Sequence, residues 1–90
     1  MNLPENARQS FVQAHPDWEL QDESITRTFV FDGFTKAIGF VVEVGFLAEA
    51  ADHHPDIDIR WNKVTLVLST HSEGALTEKD ILLAEQIDEL

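Results

Sequence analysis

SITRTFVFDGFTKAIGFVVEVGFLAEAAD, residues 24–52, contains the change of period that decides the fold. In residues 24–31, Thr26, Thr28 and Val30 alternate with Ile25, Arg27, Phe29 and Phe31, and β-branched and aromatic types dominate, as a half-buried strand requires. Asp32-Gly33 ends that strand, and Thr35 is placed to cap a helix through residue 52. The helix is unusual for a surface element. Ile38, Val41, Val42, Gly45 and Ala48 lie on one side, yet Phe40, Val44 and Leu47 lie elsewhere around the barrel. A helix apolar nearly all round asks for two partners, and the sheet of a 90-residue chain supplies one. The pattern predicts a homo-oligomer, with Gly39, Gly45 and Ala48 permitting close approach of another backbone; a helix wedged between sheet and loops is the monomeric alternative.

Upstream, residues 18–21 form a short strand with Asp22-Glu23 as its turn. Leu3, Ala7, Phe11 and Ala14 predict a helix over 3–14, with Asn2 as N-cap and His15-Pro16 as the stop. Downstream, Ile57, Ile59 and Trp61 alternate with Asp58 and Arg60; Asn62-Lys63 turns the chain; Val64, Leu66 and Leu68 alternate with Thr65, Val67 and Ser69. The last helix opens at Thr77 as N-cap, with Asp80 three residues on as in a capping box and Leu76 stapled against Ile81. The order α-β-β-α-β-β-α predicts an α+β, two-layer sandwich: a four-stranded antiparallel sheet with three helices packed on one face, one domain over residues 1–90.

Seventeen Asp and Glu against six Lys and Arg give a net charge of -11, which argues against direct nucleic-acid binding, since that affinity rests on cations releasing counterions from phosphates. With no cysteine there is no disulfide framework and no thiolate chemistry. The N-terminus lacks a basic segment followed by an apolar run, and Glu43 and Glu49 interrupt the longest apolar stretch, so neither a signal peptide nor a membrane span is expected and the cytoplasm is the default location. No Gly-rich phosphate loop is present, and no cofactor is expected.

Chemistry concentrates in Glu49-x3-His53-His54-Pro55-x5-Trp61-x9-His71-x8-Asp80. Histidine titrates near neutral pH without perturbation, so a pair can supply an acid and a base to one cavity. Helical phase, if kept, puts Glu49 one turn before His53 on the same face, and Pro55 fixes the exit direction. Each residue also has a plain structural reading: His53 and His54 as helix C-terminal caps, Glu49 as a solvated carboxylate, Asp80 as a cap and Trp61 as a core aromatic. His71, between a strand and a Gly-containing loop, is the better site candidate on position alone. A zinc site from His53, His54, His71 and a carboxylate is disfavoured because adjacent histidines seldom share one ion; no metal is expected.

This constellation, with Phe29-x-Phe31-x2-Phe34, Ala37-Ile38-Gly39-Phe40, Ala48-Glu49 and Leu68-Ser69-Thr70-His71, resembles the signature of the pterin-4a-carbinolamine dehydratases. The resemblance implies an α+β fold forming homodimers or homotetramers, and dehydration of 4a-hydroxytetrahydropterin to quinonoid dihydropterin and water during pterin recycling. It implies catalytic roles for His53, His54 and His71, and substrate-binding roles for Glu49, Asp52, Pro55, Trp61 and Asp80. It also implies a possible protein partner: an aromatic amino acid hydroxylase, or a transcription factor whose dimers some members stabilise.

Overall fold

A computed structural model describes residues 2–90. Its elements are α1 (Glu5–Ala14), β1 (Glu19–Gln21), β2 (Ser24–Val30), α2 (Phe34–Ala51), β3 (Asp56–Arg60), β4 (Lys63–Leu68) and α3 (Glu78–Asp88), in the expected order. The strands form one antiparallel sheet in the order β1-β2-β4-β3. Register places Ile25 opposite Leu68 and Phe29 opposite Val64, so the alternating apolar residues share one face. Val64, Leu66 and Leu68 are buried there beneath all three helices, with Phe11 from α1, Phe40 and Val44 from α2, and Leu83 and Ile87 from α3 in the same core. Truncating a fully buried leucine such as Leu83 to alanine costs about 2–5 kcal/mol. The other face, with Thr28 and Thr65 sharing a 2.8 Å hydrogen bond, is left to solvent.

α2 has the two apolar faces that its composition demands, although the residues sort differently from the expected grouping. Ala37, Phe40, Val44 and Ala48 meet the sheet, while Phe34, Ile38, Val42 and Phe46 form an outward stripe, Phe46 being 75% exposed. At 18 residues it is the longest helix, yet no helix among the described residues is long and apolar enough to cross a membrane.

Polar contacts pin the layers together. Asp88 near the end of α3 accepts from Trp18 Nε1 at 2.9 Å and from Arg27 at 2.8 Å, and the Arg27 guanidinium lies 4.3 Å from the Phe29 ring centroid. Arg8, buried on α1, donates to Leu3 O at 2.7 Å and to Glu23 at 2.9 Å. Glu23 also accepts from the Leu76 N–H at 3.3 Å. The Arg8 guanidinium first, and that backbone bond second, hold the Glu23 carboxyl below its ordinary range.

Several local expectations are corrected. α1 begins after Pro4, not at Leu3: the Leu3 N–H bonds across to Leu76 O at 2.9 Å, and the extended Pro4, not Asn2, is the N-cap. Gly33, not Thr35, precedes α2 as its N-cap, without a side-chain bond. The β3–β4 turn is Trp61-Asn62 rather than Asn62-Lys63, since Arg60 pairs with Lys63. Trp61 there takes a left-handed φ of 54° and is 70% exposed, so it is neither a core aromatic nor a strand residue. The capping box at Thr77 and Asp80 forms as its spacing requires.

Candidate functional site

The end of α2 decides where the two adjacent histidines go. Asp52 takes a left-handed conformation (φ 51°, ψ 44°), which aspartate tolerates better than most residues. Its N–H bonds to Glu49 O at 3.2 Å, and the His53 N–H reaches back to Ala48 O at 3.1 Å, the paired bonds of a Schellman ending. This reversal breaks helical phase between Glu49 and His53. The expected Glu49–His53 contact is therefore absent, and Glu49 Oε1 meets His54 Nε2 at 2.9 Å instead. Both partners of that pair are largely exposed.

His53 turns inward. Its Nε2 lies 2.5 Å from Oδ1 of Asp80, a residue with no solvent exposure. Asp80 Oδ2 accepts from the Thr77 N–H and from the Thr70 hydroxyl, each at 2.9 Å. A carboxylate only accepts, so it holds the imidazole proton on Nε2. His53 Nδ1 has no partner among the described residues and is the ring nitrogen left for a ligand. Asp80, expected to hold the substrate or to tune the imidazoles, is fully buried and its carboxylate contacts His53.

A cavity of about 200 Å³ joins the two histidines to the far end of the sheet. Asp52, His53 and His54 supply one wall, the segment Ser69 to Ser72 with His71 supplies another, and Lys79 from the first turn of α3 closes it. His71 sits in a turn held by the Thr70–Ala75 bridge, with the Gly74 N–H on His71 O at 3.1 Å. Ser69 donates to Glu23 O at 2.6 Å, tying the loop to the β1–β2 turn. Thus the structure gathers His53, His54, His71 and Asp52, with Glu49 beside them on His54. Pro55 is half-buried between His54 and β3 and does not line the cavity. Trp61 stands at the opposite end of the β3–β4 hairpin, five strand residues from His54-Pro55, about 16 Å of extended chain.

Thr70, noted only within the Leu68-Ser69-Thr70-His71 stretch, and Lys79 were given no role by sequence. Lys79 follows Thr77 by two positions in a capping box whose signal was read only for its cap. Thr70 carries no periodic signal; its partner Thr77 lies seven residues away, across the turn. A larger cavity of about 590 Å³ lies on the open sheet face, among Asp17, Glu19, Arg27 and the threonines. It holds no group that ordinarily titrates near neutral pH, whereas the smaller cavity is lined by three histidines.

Comparison with known proteins agrees with the constellation. The chain matches the family model for pterin 4 alpha carbinolamine dehydratase over residues 1–90. It is 60% identical over 75 residues to a Chloroflexus aurantiacus protein provisionally named pterin-4-alpha-carbinolamine dehydratase, covering 83% of this chain and 81% of the relative. A crystal structure of a transcriptional coactivator/pterin dehydratase from Brucella melitensis superposes with a TM-score of 0.93 at 35% identity, covering 99% of this chain and 97% of the other. A pterin dehydratase-like RuBisCO assembly factor of the alpha-carboxysome shares the fold alone, with a TM-score of 0.65 at 19% identity, over 80% of this chain and 83% of its own. With its inward histidine held by a buried aspartate and a second histidine beside it, this chain belongs to the pterin 4 alpha carbinolamine dehydratase family.

Proposed function

We propose that this protein dehydrates 4a-hydroxytetrahydropterin, with His53 as general base and His54 as general acid. The observation that carries the assignment is the His53 Nε2–Asp80 bond, which leaves Nδ1 as the free ring nitrogen of a residue that lines the cavity. His53 Nδ1 takes the proton from N5 of the pterin; the released electron pair forms the N5=C4a bond, and the C4a–O bond breaks. A protonated His54 has two N–H donors. One stays on Glu49 while the other delivers its proton to the departing hydroxide, which leaves as water. His71, exposed on the facing wall, binds the substrate and assists transfer. Proton exchange with solvent through the open cavity restores both rings. The cytoplasm is the expected place for this step, as part of pterin recycling after aromatic amino acid hydroxylation.

The test is stopped-flow ultraviolet absorbance of 4a-hydroxytetrahydropterin decay with wild type, the His53→Ala/His54→Ala double variant, and no protein. Acceleration by wild type alone supports the reading; decay at the uncatalysed rate with wild type present overturns it.

The outward stripe Phe34, Ile38, Val42 and Phe46 favours a second role, in assembly. Its spacing along three turns of α2 fits a homodimer or homotetramer, and a regulatory protein partner is the alternative occupant, as the description of the Brucella relative allows. Sedimentation of wild type and of the Val42→Glu/Phe46→Glu variant distinguishes these: a dimer or tetramer that becomes monomeric supports self-association, and a monomeric wild type leaves the stripe to a different protein.

A further inference from the structure

A neutral imidazole acts as a base at Nδ1 only while its proton stays on Nε2, so whatever fixes the Asp80 carboxylate fixes the base. Asp80 and Thr77 complete the helix cap between themselves, through the Thr77 N–H on Oδ2. Thr70, 2% exposed, is additional to that cap. Its Oγ1 lies 2.9 Å from Asp80 Oδ2 and 2.6 Å from Thr77 Oγ1. A hydroxyl has one proton to give. Thr70 gives it to the carboxylate, so the Thr77 hydroxyl donates to Thr70, while Thr77 Oγ1 accepts the Lys79 N–H at 3.3 Å. Donors therefore point one way, from the first turn of α3 through two hydroxyls to Asp80, which receives the His53 N–H from the other side.

The same residue sets the opposite wall. The Thr70 N–H bonds to Ala75 O at 2.9 Å, and Thr70 O accepts from Glu73 N–H at 3.0 Å and Ala75 N–H at 3.3 Å, closing the turn on which His71 sits. One buried threonine thus holds the His53 side by its hydroxyl and the His71 side by its backbone. We infer that Thr70 is a positioning residue that fixes the His53 tautomer through Asp80; this deepens, and rests on, the assignment of His53 as the base.

The test compares wild type, Thr70→Val and Thr70→Ser by nitrogen-15 NMR of the His53 ring and by the pH profile of turnover. Wild type is expected as a single Nε2–H tautomer. Thr70→Val keeps the shape but removes the donor, giving a mixture of tautomers, kcat lower by about tenfold with KM within about twofold, and a displaced acid limb. Thr70→Ser restores the spectrum and the profile. A threonine that serves packing alone lowers stability in Thr70→Val and moves neither readout. A wild-type ring protonated on Nδ1 overturns the inference without any variant, as does a Thr70→Val spectrum identical to wild type. The spectrum needs no substrate, so it separates this inference from the dehydratase assignment: full turnover in His53→Ala overturns the latter and leaves the tautomer result standing.

Discussion

His53 and His54 are neighbours in sequence, yet one has a side chain 10% exposed against a carboxylate with no exposure, while the other is 60% exposed against one that is 81% exposed. The cause is backbone: a left-handed Asp52 turns His53 inward onto Asp80, and Pro55 restricts His54 to extended geometry just before β3. A largely buried ring bonded to a carboxylate that Thr70 and the Thr77 N–H also hold is oriented before substrate arrives, as the proposed base requires. An exposed ring on an exposed carboxylate is open to proton exchange with solvent, as the proposed acid requires. The two environments teach that neighbours of one residue type are set apart by burial and bonding partners.

The most direct way to break the comparison is on the buried side. His53→Ala is expected to lower kcat by about 10²-fold or more, the usual loss for a general base. Asp80→Asn is the sharper variant. Its amide can face Nε2 only as a donor, which moves the ring proton to Nδ1 and removes the base while the imidazole remains. A kcat loss approaching that of His53→Ala, together with a stability loss of about 1–3 kcal/mol in urea unfolding, is expected. A near-normal kcat in Asp80→Asn would leave the buried carboxylate with a purely structural role.

On the exposed side the effect is smaller. Glu49→Gln removes a solvent-screened contact worth about 0–1 kcal/mol, so kcat should fall by no more than about fivefold. A loss as large as that of Asp80→Asn would place Glu49 on the substrate, the role the family resemblance implies, and would erase the contrast between the two histidines.

Sequence carried the element order because its signals are local: a period of two in residues 24–31 and 64–69, a helical period in 35–52, and a capping box whose members are three residues apart. It failed where a single backbone dihedral decides the outcome. The Glu49-x3-His53 spacing reads as one helical face, but Asp52 at φ 51° cancels it, and no pattern in the residue types announces that reversal. Alternation likewise carried Trp61 into β3 although the turn begins there. Local spacing made Asp80 legible as a cap, while its link to the imidazoles came only through the family resemblance, because the contact with His53, 27 residues away, exists only after the sheet has brought the end of α2 against the start of α3.

Glu23 extends the comparison to the outer frame of the His71 wall. Its lowered carboxyl range means that its contribution to stability is fully present above the unfolded value near 4.5 and is lost as pH falls through the folded value. Glu23→Gln should therefore flatten the acid side of the stability profile below about pH 4.5 and leave kcat near neutrality within about twofold. A kcat change at neutral pH would show that the Arg8–Glu23–Leu76 contacts set the His71 loop as well as the fold.

The smallest effect is expected at Trp61. An exposed tryptophan at a left-handed turn position contributes little burial, and asparagine tolerates that conformation better. Trp61→Asn should leave stability within about 0.5 kcal/mol and turnover within about twofold. Its distance from the histidines within one chain makes this a discriminating substitution. Turnover lost with the fold intact would mean that Trp61 reaches a cavity on a second copy, joining the hairpin tip to the assembly expected of the outward stripe on α2. Turnover retained would confine the chemistry to the end of the sheet where His53 and His71 meet.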